Sequence, residues 1–212
     1  MPERIFGVYD AAYYLNLDSR GDRRSLIETD LRSLNIKATR ISAFRPDIGS
    51  RSCLELSAGQ YGCKVSHIEA ILLGIRDVHR SILIMEDDVR FHPKFLDYVD
   101  SIREALETET WDLFFYYATS QRRYETVAPG VCRAATALTH CYGIHSRAYF
   151  RVLSRLLRSD RPIDLAYREL ALKRELTVLA PSIDLAFQRN GFSDILGCEV
   201  DESRFHLEQV RA

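Results

Sequence analysis

The residue types best suited to chemistry stand in one run. Ile82-Leu83-Ile84-Met85, wholly apolar, leads into Glu86-Asp87-Asp88. A short apolar run of this kind is expected of a strand buried on both faces. In open α/β sheets, ligands bind beyond the carboxyl ends of such strands. Three carboxylates crowded there repel one another unless they are protonated or balanced by a cation. A hard divalent cation with oxygen ligands removes that repulsion, and Mn²⁺ or Mg²⁺ can also hold a diphosphate. Read so, Glu86, Asp87 and Asp88 together would hold such a cation. A solvated acidic turn fits the same residues, and the triplet alone does not choose between the two.

A basic cluster forms a second focus. Asn16, Arg20, Arg23 and Arg24 lie where a first strand ends and a helix starts. Such a junction offers backbone N–H groups and a positive dipole end to phosphate, and arginine adds bidentate hydrogen bonds. The alternative is a solvated basic helix start partnered by Asp22. Ser66 is expected to cap a long apolar helix, with His67 packed or bonded at its start. Asp164 follows Pro162 between two predicted helices and is a candidate N-cap of the second. His140, His145 and His206 are candidate third metal ligands, although a lone histidine more often has a structural role. Trp111, Tyr116 and Tyr117 have rings that stack on a base or sugar, but in the run Leu113–Tyr117 core packing is the default.

These residues need a scaffold, and the chain predicts one. Tyr13–Leu17 reads as a strand. Arg23–Leu34 carries Leu26, Ile27, Leu31 and Leu34 at helical spacing. Ala38–Ser42 reads as a second strand. After an irregular stretch with Pro46 and Gly49, Ser66–Val78 presents one apolar helical face. Ser81–Met85 is the buried strand, and Pro93–Leu106 a helix with proline in its first turn. Leu113–Tyr117 reads as another buried strand and Ala134–Ile144 as extended. Arg147–Leu157 and Leu165–Lys173 read as helices and Thr177–Leu179 as a short strand, while the segment after Asp194 has no clear pattern. Strands alternating with helices predict an α/β fold.

The bulk numbers bound the function. A chain of 212 residues that is 46% hydrophobic buries a real core and suits one domain. A net charge of -1 gives no overall footprint for nucleic acid. The five cysteines, Cys53, Cys63, Cys132, Cys141 and Cys198, contain no C-x-x-C pair, which argues against a zinc site or disulfide framework and for a reducing, cytoplasmic setting. The N-terminal residues lack a signal-peptide pattern, and no apolar run reaches the roughly 18 residues of a membrane span. The expectation is therefore at most peripheral membrane association.

Several segments together resemble glycosyltransferase family 25, the lipooligosaccharide biosynthesis and procollagen galactosyltransferase family. Asn16-Leu17-Asp18-Ser19-Arg20-Gly21-Asp22-Arg23-Arg24 is similar to its N-terminal Asn-Leu-x-x-Arg-x-Asp-Arg-Arg signature. Ser42-Ala43 follows. Gln60-Tyr61-Gly62-Cys63-Lys64-Val65-Ser66-His67 resembles Glu-x-Gly-Cys-x-x-Ser-His, and Glu86-Asp87-Asp88-Val89 resembles the family's DxD-type metal motif. Pro162-Ile163-Asp164 and the closing Pro181, Gln188 and Ser193-Asp194-Ile195 follow in order. Gln60 departs from the family's usual Glu.

The resemblance implies a single GT-A-like domain over 1–212. Its Rossmann-like nucleotide-sugar-binding half, with a mixed sheet, would span 1–110, and a loop-rich acceptor half 111–212. It implies a hexosyltransferase taking galactose or glucose from a UDP-sugar donor to a glycan or protein hydroxyl acceptor, with inversion. The implied cofactor is Mn²⁺ or Mg²⁺ on Glu86 and Asp88. Asn16, Leu17, Arg20, Arg23, Ser66, His67 and Asp87 would contact the nucleotide-sugar. Inversion needs a base for the acceptor hydroxyl; Asp164 is the first choice, with Asp184 and Asp194 as alternatives. Gln60 and the chain's length leave open a catalytically silent homologue that binds a nucleotide-sugar without transferring it.

Overall fold

The apolar run before the acidic triplet becomes the middle of a sheet. The computed structural model describes residues 5–46, 56–118, 122–136, 138–195 and 197–201. Its first part comprises β1 (Ala11–Asn16), α1 (Gly21–Ser33), β2 (Thr39–Ser42), α2 (Ala58–Arg76), β3 (Ser81–Glu86) and β4 (Val89–Phe91). There follow α3 (Val99–Thr108), β5 (Leu113–Phe115), β6 (Arg123–Ala128), β7 (Val131–Ala134), β8 (Cys141–His145), α4 (Ser146–Arg158) and α5 (Ile163–Leu172). The last elements are β9 (Val178–Pro181), β10 (Ala186–Gln188), β11 (Gly191–Ser193) and β12 (Cys198–Val200).

Eight strands form one mixed sheet in the order β2-β1-β3-β8-β5-β9-β7-β6. β1 runs parallel to both β2 and β3, whereas β8 runs antiparallel to β3 and β5. This is the mixed α/β, GT-A-like arrangement that the resemblance implies, and the sheet is continuous across the two expected halves. Strand alternation sorts its apolar residues onto two faces. Tyr13, Leu15, Ile82 and Ile84 pack with Ala70 and Ile71 of α2 and with α4 and α5. Tyr14, Leu83 and Met85 pack with Ile27 and Leu31 of α1 and with α3.

The chain leaves β1 for β2 on one side and returns to β3 on the other. The carboxyl ends of β1 and β3 therefore flank a topological switch point, where open α/β sheets form their ligand crevice. Leu15 is registered opposite Glu86, so Asn16 lies directly beside the acidic triplet at the strand ends.

Three predicted elements are corrected. α2 begins at Ala58, well before Ser66, and its cap is Ser57: Gln60 N donates to Ser57 Oγ (3.2 Å) and Ser57 N to Gln60 Oε1 (2.9 Å). This is a capping box, which Gln serves as well as Glu, so the departure at Gln60 keeps that role. The segment Ala134–Ile144 is not one extended run; β7 ends at Ala134 and β8 starts at Cys141. Phe95–Tyr98 forms a 3-10 turn before α3, so no single helix starts at Pro93.

Candidate active site

Each member of the acidic triplet finds a different set of partners. Glu86 continues the β3 face that looks toward α2. There it accepts from Thr139 Oγ1 (2.7 Å) and lies 3.4 Å from His67 Nε2. Burial acts to raise the Glu86 carboxyl, but His67 and Thr139 outweigh it and hold the group below its ordinary value. Asp87 turns toward the β1–α1 junction, accepting from Asn16 Nδ2 (2.7 Å) and Arg23 Nη1 (3.0 Å). Burial raises the Asp87 carboxyl against the pull of these two donors. Asp88 receives Gln188 Nε2 (3.0 Å) and Arg23 Nη1 (3.2 Å) on Oδ2. Its Oδ1 is buried without a hydrogen-bond partner among the described residues. Burial, then the neighbouring Glu86, push the Asp88 carboxyl up to about 7.

Gln188 reaches Asp88 because β10 pairs with β4, placing Gln188 opposite Val89. Asn16 is fixed from the other side, where Arg40 Nε donates to its Oδ1 (3.0 Å). Asn16 thus orients Asp87 and does not itself line the crevice. Arg20 is ion-paired with Asp22 and Asp194, and Arg23 Nη2 also donates to the Phe192 carbonyl (2.6 Å). The two arginines thereby tie the β11 segment over the crevice.

Two adjoining cavities of comparable size, about 190 and 240 Å³, open here. The first is walled by Leu17, Arg23, Ser66, Asp87, Asp88 and Asp194 with the loop Ala43–Pro46. The second is walled by Thr139, His140, Pro162 and Asp164. Cys63, Glu86, Gln188, Ser193 and Ile195 belong to both and form the partition. Asp164 sits in the first turn of α5 behind Pro162. Burial raises its carboxyl, and Glu86 adds to the effect.

The structure separates the other predicted candidates. Ser66 is in the middle of α2, not its cap; its Oγ donates to Gly62 O and accepts from Phe44 N, both at 2.8 Å, pinning the cavity wall. His67 is fully buried behind Glu86, with Nδ1 3.1 Å from Tyr142 Oη, and does not face the cavities. His145 is registered with Ser81, at the end of the sheet opposite the triplet, which removes it as a ligand there. Asp184 is buried, ion-paired with Arg123 and accepting from Ala118 N (2.9 Å), so it clamps the fold. Trp111, Tyr116 and Tyr117 are buried in the core. His206 and Cys53 lie outside the described residues. Thr139 was not singled out by sequence, because only the insertion of β8 beside β3 brings it to Glu86.

A profile described as glycosyltransferase family 25, LPS biosynthesis protein, matches residues 10–161, most of the chain. The chain belongs to glycosyltransferase family 25. The match spans β1 through α4 and so includes the Asn16–Arg24 junction, the α2 motif and the acidic triplet. A Drosophila melanogaster protein named glycosyltransferase 25 family member is 24% identical over 184 residues, covering 77% of this chain. The aligned region is 30% of that relative's length. Among solved structures, A197 from STIV matches with a TM-score of 0.43 and 12% identity over 85% of this chain and 94% of its own. A glycosyltransferase involved in glycosylation of the major capsid of PBCV-1 matches with a TM-score of 0.45 and 10% identity, covering 80% of this chain and 81% of that one. Among the described residues of this family 25 chain, no helix is long and apolar enough to cross a membrane.

Proposed function

We propose that this family 25 chain transfers a hexose, galactose or glucose, from a UDP-sugar to an acceptor hydroxyl on a glycan or protein, with inversion. The observation that carries the reading is the pair of cavities meeting at Glu86 and Gln188. One is lined by Arg23 and the Asp87–Asp88 carboxylates, and the other ends at Asp164. A diphosphate suits the first and a neutral acceptor the second.

The donor set fits Mn²⁺ or Mg²⁺, because Asp88 Oδ1 is a buried carboxylate oxygen without a partner among the described residues. Glu86 and Asp88 would hold the ion, while Asp87 is engaged by Asn16 and Arg23. A bound divalent cation supplies Lewis-acid stabilisation of the departing diphosphate. Arg23 brings positive charge to the phosphate side of the first cavity, its Nη1 shared by Asp87 and Asp88 and its Nη2 on the Phe192 carbonyl, and Leu17 and Ser66 shape the wall beside it. Arg20 holds the segment carrying Asp194 over the donor. Asp164, made more basic by its buried setting, takes the proton of the acceptor hydroxyl as it attacks the anomeric carbon. Free thiols at Cys63, Cys132, Cys141 and Cys198 support a cytoplasmic setting.

One observation favours a second reading. Arg23 bridges Asp87 and Asp88 with its own guanidinium, as it would in a homologue that binds a nucleotide-sugar and transfers nothing. UDP release from UDP-galactose, UDP-glucose and UDP-N-acetylglucosamine, with and without Mn²⁺ and in Asp88→Asn, separates the two. Metal-dependent release from one donor, lost in the variant, is the expected result. Equal turnover in all three conditions overturns the metal role. Thermal stabilisation by a nucleotide-sugar without release on any acceptor selects the silent homologue.

A further inference from the structure

The partition between the two cavities contains a donor set of another kind. Cys63 and His67 are one helical turn apart on α2, and residues four apart share a helix face. Glu86 meets that face from the end of β3. The Cys63 sulfur, a His67 nitrogen and a Glu86 oxygen all lie within 4.8 Å of one another. Such a mixed thiolate, imidazole and carboxylate set suits a softer ion than the carboxylates of Glu86 and Asp88 do.

From this geometry we infer that Cys63, His67 and Glu86 form a zinc site. The His67 Nε2 to Glu86 Oε1 separation is 3.4 Å, long for a hydrogen bond. It matches the roughly 3.4 Å edge of a tetrahedron built from Zn–N and Zn–O bonds of about 2.1 Å. The ring is already aimed, because Tyr142 Oη lies 3.1 Å from Nδ1, and an outer partner that fixes the tautomer is what metal-binding histidines require. Tyr142 is held in turn by Tyr167 Oη at 3.1 Å. Cys63 and Glu86 both border the cavities, which gives an ion an entry path and leaves its fourth position open, as in zinc sites with three protein ligands. The site stands on donor geometry and needs no transfer activity; it takes Glu86 Oε1, the oxygen beside His67, and leaves Oε2 for the ion proposed at Asp88.

The test uses the full chain, stripped with a chelator and titrated with Co²⁺, which reports a thiolate ligand through a charge-transfer band. The band is expected to saturate near one Co²⁺ per chain and to be reversed by Zn²⁺ but not by Mn²⁺. It is expected to vanish in Cys63→Ser and His67→Gln, to persist in Cys198→Ser, and to need roughly tenfold more Co²⁺ in Tyr142→Phe, the usual cost of removing an outer partner. No band, or an undiminished band in Cys63→Ser, overturns the site. Should a variant fail to fold, alkylation of the unmodified chain followed by peptide mass spectrometry decides. Zn²⁺ is expected to slow modification of Cys63 at least tenfold while Mn²⁺ does not, and an unchanged rate overturns the proposal.

Discussion

Gly62 sits inside α2, where alanine is the better helix former by up to about 1 kcal/mol. Propensity alone therefore predicts that Gly62→Ala stabilises the chain. Packing predicts the reverse. A Cβ at this position would lie 2.4 Å from the Phe44 carbonyl oxygen, and real Cβ contacts essentially never fall below 3.0 Å. Helix and loop must part by at least about 0.6 Å, and the obstacle is backbone, which cannot swing aside. Overpacking of this kind costs about 1–3 kcal/mol. The same movement stretches the Phe44 N to Ser66 Oγ bond, now 2.8 Å, worth about 1 kcal/mol more. The net expectation is a loss of about 1–3 kcal/mol, read as a lower urea midpoint at unchanged slope. Because the loop Ala43–Pro46 walls the first cavity, the UDP binding proposed for that cavity is expected to weaken as well. Gly21→Ala is the control, since beyond its chain neighbours and its own helix backbone no atom of the described residues lies within 4 Å of its Cβ position, and it should be neutral or mildly stabilising. A Gly62→Ala chain as stable as the parent, with unaltered UDP affinity, would refute the close-approach reading.

Two further predictions concern charge. The Asp88 carboxyl is raised from 3.8 to about 7, and a group raised on folding contributes stability below its unfolded value that is lost as pH climbs to the folded one. Metal-free protein should lose stability between about pH 4 and 7; Glu86, held below 4.5, acts only at more acid pH. Urea midpoints across that window should show a shallower decline in Asp88→Asn, and identical slopes would count against the buried-carboxylate account. Asp164→Asn should lower transfer by about 10²–10⁴, the usual contribution of a general base. UDP affinity should be preserved, since Asp164 borders the second cavity and not the first; retained transfer would move the base elsewhere.

Much of this architecture is legible in the chain because local pattern and fold agree. Ile82–Met85 is apolar without interruption, so its burial in a sheet follows, and with it the placing of the carboxylates at a strand's end. The first half of α2 was harder to read. Gly59 and Gly62 look like breakers, yet both are there so that other backbone can pass: a Cβ on Gly59 would lie 2.7 Å from the Ile195 Cα. The signal that would have found the true helix start is Ser57 with Gln60 three residues on, a capping-box pattern. His67 illustrates what local reading misses. Its position on α2 follows from periodicity, but whether it faces a ligand or lies behind Glu86 depends on Tyr142, delivered by a strand far along the chain. Gln188 depends in the same way on the pairing of β10 with β4.

The deeper question is how a fold tolerates three adjacent carboxylates at the rim of a buried sheet. Neutralising all three with arginine would leave no function there, and leaving all three bare would cost several kcal/mol per buried charge. The chain divides the burden by direction. Strand alternation sends Glu86 to the α2 face, where His67 and Thr139 receive it, and Asp87 to the β1–α1 junction, where Asn16 and Arg23 do. Asp88, held by Gln188 and Arg23 through one oxygen, keeps the other without a hydrogen-bond partner among the described residues. Arg23 Nη1 spans Asp87 and Asp88, so a cation bound at Asp88, as proposed, would release one of that nitrogen's two carboxylate contacts toward an anion that comes with it. Cation and diphosphate should therefore bind cooperatively through Arg23, each relieving the charge that the other leaves exposed.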